Sequence, residues 1–366
     1  MKKIYLLALL SGLFATSYAT NVPSPESKPS RIIFLIGDGM GLSAVSTTVY
    51  FGDQVSAFSR FQEIGLVNTS SASHKVTDSA ASGTAMATGT KTYNGAVGLD
   101  TARKAVKNIT EIASDQGWST GVVSTSAVTH ATPASFYAHV RMRSMEEVIA
   151  SQLLVSQIDF FAGGGLQFFT SRRDSMDLLP IGAQQGFIID TTDLAEPGSL
   201  DPEKKYGFLL ADGGMLPMNQ GRGDFLPSAT TLAIEQLSQN KDGFFLMVEG
   251  SQIDWAGHAN DNEYMIAEML DFEKTIEAAL DFAEKDGNTL VVVTADHETG
   301  GLTLSAGHDP QTGRDDYREI EPTYATGGHS ATLIPVFAYG PGSEEFNGIY
   351  QNTDLFKKMV KLAFGE

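Results

Sequence analysis

The chain has 366 residues, enough for one large α/β domain or two small ones, and its 42% hydrophobic content excludes a disordered protein. A formal net charge of -19 leaves no basic stripe to neutralise phosphates, which excludes a nucleic-acid-binding surface. There is no cysteine, so stability is expected from core packing and bound metal rather than disulfides.

Lys2 and Lys3 precede the apolar stretch Ile4 to Leu10, and Ser17-Tyr18-Ala19 fits a small-x-Ala cleavage site. Residues 1–19 therefore read as a secretory signal peptide, and the protein as periplasmic or secreted. The apolar part is too short to span a bilayer, no cysteine follows to carry a lipid, and no later run is long enough to cross. No membrane anchor is expected. Residues 20–30, with three prolines, read as a flexible leader, and residues 31–366 as a single domain.

Five apolar, β-branched runs follow, each beside oxygen or imidazole groups. Ile32 to Ile36 runs into Asp38. Gly121 to Thr125 leads to His130 and Thr132. Phe244 to Val248 stops at Glu249, with Asp254 and His258 beyond. Leu290 to Thr294 stops at Asp296 and His297. Leu333 to Phe337 is preceded by Gly327-Gly328-His329. Short continuous apolar runs predict buried strands of a parallel sheet. Open α/β sheets bind ligands just outside the carboxyl ends of their strands, so these residues are expected to converge at one edge. Oxygen and imidazole without sulfur are the ligands of zinc and magnesium.

Helices are predicted at 78–88, 109–116, 145–157, 229–239, 262–285 and 354–362, alternating with the strands as in a doubly wound α/β fold. The stretch around 165–225 is rich in glycine, proline and charge. It reads either as a surface insertion over the sheet edge or as an ordinary surface excursion, and 308–326 as a smaller one.

Asp254 and His258 are four apart, so one helical face can present both to an ion. Asp296 and His297 follow Leu-Val-Val-Val-Thr, where charge without a partner is costly. His329 has room between glycine and serine for an ion to approach. Gly39-Met-Gly41-Leu-Ser-Ala44 also matches a dinucleotide fingerprint, with Glu63 near the ribose position. Asp38 would then set a negative charge against the pyrophosphate, whereas a metal would use it. Asp78 is a helix N-cap, and Ser79 in the first turn sits among free N–H groups at the positive end of the dipole. No Gly-x-Ser-x-Gly elbow surrounds it, so metal rather than a histidine triad would activate the hydroxyl. Arg141 and Arg143 are the candidate phosphate clamps, since a guanidinium can hold two oxygens at once. His74, His139 and His308 have no acid partner or strand-end context in the sequence.

Gly37-Asp-Gly-Met-Gly41, Thr77-Asp-Ser-Ala80, His130-Ala-Thr-Pro133, Glu249 through His258, Thr294-Ala-Asp-His-Glu-Thr-Gly-Gly301 and Gly327-Gly-His-Ser330 together resemble the alkaline phosphatase family. They occur in the family's order from about Ile32 to Tyr339 and are most similar to its compact bacterial members. The resemblance implies a three-layer sandwich, a central mostly parallel sheet with helices on both faces, and a homodimer. It implies two Zn2+ and one Mg2+ per subunit. Asp254, His258 and His329 would bind the first zinc. Asp38, Asp296, His297 and the Ser79 oxygen would surround the second. Asp38, Thr132 and Glu249 would hold the magnesium. Arg143, rather than Arg141, aligns with the phosphate clamp. His130 stands where the best-known bacterial members have an aspartate near the magnesium. Trp255 stands where they have a lysine, which removes one positive charge near the phosphate.

The implied reaction is hydrolysis of a phosphate monoester through a covalent phosphoserine on Ser79, with water on zinc completing it. A related metallohydrolase of diesters, phosphonates or sulfate esters is the nearest alternative. A nicotinamide-dependent dehydrogenase, or an exported protein with purely structural cations, are the more distant ones.

Overall fold

The structure is a computed structural model and describes residues 28–365. The expected signal peptide and most of the leader lie outside the described residues. The strands are β1 (Arg31–Gly37), β2 (Glu63–Asn68), β3 (Ser119–Ala127), β4 (Phe160–Gly164), β5 (Phe187–Asp190), β6 (Lys205–Leu209), β7 (Phe244–Gly250), β8 (Thr289–Thr294), β9 (Glu298–Thr299), β10 (Leu302–Asp309), β11 (Arg314–Tyr324), β12 (His329–Ser330), β13 (Ile334–Tyr339) and β14 (Gly348–Gln351). The helices are α1 (Leu42–Phe51), α2 (Ser79–Thr88), α3 (Ile109–Asp115), α4 (Ala131–Ala134), α5 (Glu146–Val155), α6 (Gln167–Thr170), α7 (Leu179–Gln184), α8 (Phe225–Leu237), α9 (Gln252–Ala259), α10 (Asn262–Asp286) and α11 (Asn352–Phe364).

Ten strands form one sheet in the order β14-β2-β13-β8-β1-β7-β3-β4-β6-β5. β1 lies between β7 and β8, parallel to both, and Ile32 to Ile36 are wholly buried. That burial on both faces explains an unbroken apolar run where a half-exposed strand would alternate. α1, α8 and α10 pack together on one face, while α2, α3, α4 and α11 cover the other. This is the expected three-layer α/β sandwich.

One expected parallel strand runs the other way. β13 pairs antiparallel with both β8 and β2. The reversal is what serves the site: a residue before an antiparallel strand lies at the same edge as residues after parallel ones. His329, ahead of β13, thus joins Asp38, Glu249 and Asp296, which follow or close β1, β7 and β8.

The stretch around 165–225 does more than cover the sheet edge. It supplies β6 and β5, which extend the sheet parallel to β4. Phe187 of β5 and Phe208 of β6 pack on Phe161 and Phe160 of β4. Arg222, its side chain fully buried, ties the end of this stretch to α10 through Glu268 and, at 2.7 Å, Asp271. Four- and five-residue strands leave too little periodicity to find in the sequence. The excursion expected at 308–326 is mostly the β10–β11 hairpin. α8 begins earlier than expected, at Phe225, because Pro227 falls in its first turn, where no N–H is needed.

Among the described residues no helix is long and apolar enough to cross a membrane.

Candidate active site

The Gly39–Gly41 turn between β1 and α1 decides against a dinucleotide. Gly39 has φ +75, and a Cβ there would lie 2.8 Å from the Asp254 Cα. A Cβ on Gly41 would collide with the Glu298 side chain. The turn is filled by protein, so a pyrophosphate has no place against it. Gly39 N–H instead donates to Asp296 Oδ1 at 3.1 Å, and Asp38 N–H to the Gly250 carbonyl, locking β1, β7 and β8 loops together.

Three groups of possible ligands result, each with its donor atoms within 4.8 Å of one another: Asp254, His258 and His329; Asp38, Asp296 and His297; and Asp38, His130 and Glu249. α9 carries Asp254 and His258 on one face, with His258 Nε2 3.4 Å from Asp254 Oδ1 and His329 Nε2 3.6 Å from the same oxygen. His297 Nε2 lies 3.2 Å from Asp296 Oδ2 and 3.6 Å from Asp38 Oδ1. Thr132, at the start of α4, donates to Asp38 Oδ2 at 3.5 Å.

The histidine tautomers follow from their second nitrogens. His258 Nδ1 is 2.7 Å from the Gly327 carbonyl and His329 Nδ1 2.9 Å from the Thr77 carbonyl. A carbonyl only accepts, so each Nδ1 carries a proton and each Nε2 is the atom left to offer a lone pair to a cation. Thr299 Oγ1 spends its proton on Asp254 Oδ1 at 2.5 Å, so at 3.2 Å it accepts from His297 Nδ1. His297 Nε2 is then a lone pair as well. Imidazoles anchored in this way are the usual second-sphere pattern of metal ligands. His258 and His329 bring two such lone pairs within 3.2 Å of each other, an arrangement that a cation makes favourable.

The oxygens tell the same story. Asp38 Oδ1, Asp296 Oδ2 and Glu249 Oε1 are buried without a hydrogen-bond partner, as is His130 Nδ1. Burial, then repulsion from Asp296, Asp254 and Glu249, pushes the Asp38 carboxyl well above its usual range; burial also raises Asp296 and Glu249. Burial holds His297 well below its ordinary value, hence neutral. Wholly buried carboxylates with free oxygens, facing neutral imidazoles, fit divalent cations.

Ser79 opens α2, with Asp78 as N-cap accepting from Ala81 N–H at 3.0 Å, as the sequence predicts. Its Oγ lies 3.3 Å from His297 Nε2 and 3.5 Å from Arg143 Nη1. The serine–imidazole contact is one the sequence does not reveal. It is a poor acid–base pair, because burial opposes a charged His297. Arg143 Nη2 donates to His130 Nε2 at 2.9 Å, and Nη1 lies 3.5 Å from Asp78. Burial and the adjacent guanidinium lower His130 to about 3, so it stays a neutral acceptor although part of the residue reaches solvent. Trp255 stands edge-on to His130, ring centroids 6.3 Å apart. Arg141 is exposed.

The structure thus brings together Asp38, Ser79, His130, Thr132, Arg143, Glu249, Asp254, His258, Asp296, His297 and His329. It adds residues the sequence reading missed: Thr299, which bridges Asp254 and His297, and three serines around Glu249. Thr299 stands within the Asp296-His297 motif, where its spacing from His297 could have drawn attention. His139 is a correction: it does have an acid partner, Glu111, 3.4 Å from Nε2, a pair brought together by α3 packing beside α4. A groove of about 1040 Å³ between residues 192–197 and α8 shares no residue with the site.

The family model for alkaline phosphatase matches residues 30–314. Alkaline phosphatase 3 of Bacillus subtilis is 34% identical over 98% of this chain and 96% of its own. The structure of alkaline phosphatase from the Antarctic bacterium TAB5 superposes with a TM-score of 0.91 at 54% identity, over 92% of this chain and 98% of that one. A histidine-to-aspartate variant of that enzyme, with Mg bound in its M3 site, gives 0.90 at 53% over the same shares. A likeness this extended, in sequence and in fold, makes the chain a member of the alkaline phosphatase family, a metal-dependent hydrolase of phosphate monoesters.

Proposed function

We propose that the reaction runs through a covalent phosphoserine on Ser79, in two in-line displacements. Ser79 Oγ attacks the phosphorus, the ester oxygen leaves as the alcohol, and water then releases inorganic phosphate. Asp254, His258 and His329 would hold one zinc, and Asp38, Asp296 and His297 a second. Asp38, Thr132 and Glu249 would hold a magnesium, with His130 beside it. Bound there, the cations lower the pKa of the attacking oxygens and offset the charge on the oxygens that attack and leave. The observation that carries this is the convergence of three imidazole lone pairs and three bare carboxylate oxygens beside one helix-terminal hydroxyl.

Arg143 would hold two phosphoryl oxygens as charge builds on them, oriented by the neutral His130 ring. Arg143→Ala is expected to lower kcat/KM by about 10²–10³-fold, the usual cost of one donor to a developing oxyanion. Arg143→Lys should recover only part of it, because a point charge cannot replace the two-pronged contact. An Arg143→Ala enzyme with unchanged kcat/KM would move the clamp elsewhere. We further take the protein to be exported to the periplasm or medium and to act as a homodimer, on the strength of Lys2 to Ala19 and of the family resemblance.

The test is metal analysis of the purified protein together with turnover of an aryl phosphate monoester and of the diester with the same leaving group. Zinc and magnesium with a strong monoester preference are expected. Faster diester cleavage would transfer the two-metal site to a phosphodiesterase.

A further inference from the structure

Glu249 ends β7 with its two carboxylate oxygens treated differently. Oε2 lies 2.5 Å from Ser124 Oγ, 2.6 Å from Ser251 Oγ and 3.3 Å from Ser126 Oγ. Oε1 is buried and has no partner. Ser124 is the register partner of Glu249 across β3 and β7, Ser126 is the next residue on the same face of β3, and Ser251 follows β7. All three serines are wholly buried.

The protons can be followed. Each hydroxyl has one to give. The Ser126 backbone N–H donates to Ser124 Oγ at 3.0 Å and to Ser251 Oγ at 3.1 Å, and Ser126 Oγ stands 2.8 Å from Ser124 Oγ. Ser124 Oγ and Ser251 Oγ also stand 2.8 Å apart, and the carboxylate, which can only accept, draws hydroxyl protons from this cluster onto Oε2. Ser251 is itself fixed, its N–H donating to Thr125 Oγ1 at 2.9 Å. Hydroxyls present only to satisfy a buried carboxylate would cover both oxygens. These crowd one oxygen and leave the other bare.

We propose that Ser124, Ser126 and Ser251 form a hydroxyl cage that makes Glu249 a one-oxygen ligand, and so sets the third cation site to prefer Mg2+ over Ca2+. This rests on the reading of Asp38, Thr132 and Glu249 as the magnesium ligands. Mg2+ demands near-octahedral geometry at about 2.0–2.1 Å, whereas Ca2+ sits at about 2.3–2.6 Å, takes up to eight oxygens and accepts carboxylates through both. Two-oxygen ligation here would require Oε2 to break its bonds to Ser124 and Ser251. The cage therefore penalises the ligation that favours calcium.

The test is calorimetric titration of MgCl2 and of CaCl2 into zinc-loaded full-length protein stripped of magnesium. Replacing both Ser124 and Ser251 by alanine is expected to weaken Mg2+ binding by roughly 10–100-fold, the usual cost of losing a partner of a metal ligand, and Ca2+ binding much less. Unchanged Mg2+ affinity, or equal losses for both ions, overturns the cage. Should the double variant not fold, Ser251→Ala and Ser251→Thr decide. The threonine keeps the hydroxyl and should retain the wild-type Mg2+ preference that the alanine loses; identical behaviour of the two overturns the proposal. Glu249→Gln separates the two levels. If it binds Mg2+ like the wild type, the magnesium reading itself is wrong. If it loses Mg2+ while the serine variants do not, only the cage is.

Discussion

Ser79→Ala is expected to reduce turnover by roughly 10³-fold or more and to abolish the phosphoenzyme, while zinc and magnesium content stay near normal. The oxygen it removes touches His297 Nε2 and Arg143 Nη1, but the three ligand groups are assembled by other elements and do not need it. Nor does the helix need it. Asp78, not Ser79, caps α2, and Ala80 and Ala81 follow in the first turn, so alanine continues a sequence already suited to the geometry. Thermal stability should change little. Acid quenching with labelled substrate, followed by location of the labelled residue, is the direct check. Label trapped on any residue other than Ser79 removes it as the nucleophile. A variant that keeps turnover without forming phosphoenzyme would mean that water attacks directly.

Much of this site is legible in the sequence because the edge of a parallel sheet collects whatever follows its strands. Asp38, Glu249, Asp296 and His297 could each be assigned to that edge from the apolar run before them. Asp254 and His258 needed only the helical period. Three things were not legible, each for a physical reason. The direction of β13 is set by pairing with β2 and β8, which no local pattern encodes, so the sequence places His329 near the edge without explaining why. β5 and β6 are too short to show a period. The roles of Thr299, Ser124, Ser126 and Ser251 depend on where single protons go between elements far apart in the chain. Serine and threonine on a buried strand look like ordinary β formers until a carboxylate is placed opposite them. The helix-terminal reading of Ser79 was sound, but its contact with His297 is made across 218 residues of sequence. Even the dinucleotide match was sound locally, since Gly39 to Ala44 does join a strand to a helix. It is Asp254 and Glu298, from the other half of the chain, that fill the turn.

Exhaustive chelation is expected to abolish activity and lower Tm, with zinc plus magnesium restoring both. The substrate argument is electrostatic. Three divalent cations bound as proposed, with Arg143, would outweigh the carboxylates of Asp38, Glu249, Asp254 and Asp296, even with Asp78 beside the arginine, so that a phosphate dianion is attracted despite an overall charge of -19. Stripped of metal, the same cleft is net negative and repels it. The stability argument is linkage. Three sites held at 100–1,000 times their Kd would stabilise the fold by about 8–12 kcal/mol, which for a chain this long is on the order of 10–17 °C in Tm. The stripped protein should also acquire a pH dependence. Its Asp38, Glu249 and Asp296 carboxyls are raised by burial above their ordinary values of 3.8 and 4.5, so the folded state holds protons that the unfolded chain has already released. Stability then falls as pH rises through the raised values. His297, lowered from 6.5, acts in the opposite sense, but only below that pH. Three raised carboxyls stand against one lowered imidazole, so the net sign is theirs, Asp38 foremost. Tm of the chelated protein should therefore decline as pH is raised from about 4.5 through the raised carboxyl values, while the metal-loaded protein, whose carboxylates are already ionised against cations, shows no such slope. Scanning calorimetry of both forms over that range checks the sign. Full turnover after complete chelation, or parallel Tm profiles, would mean that these carboxylates do not face metal.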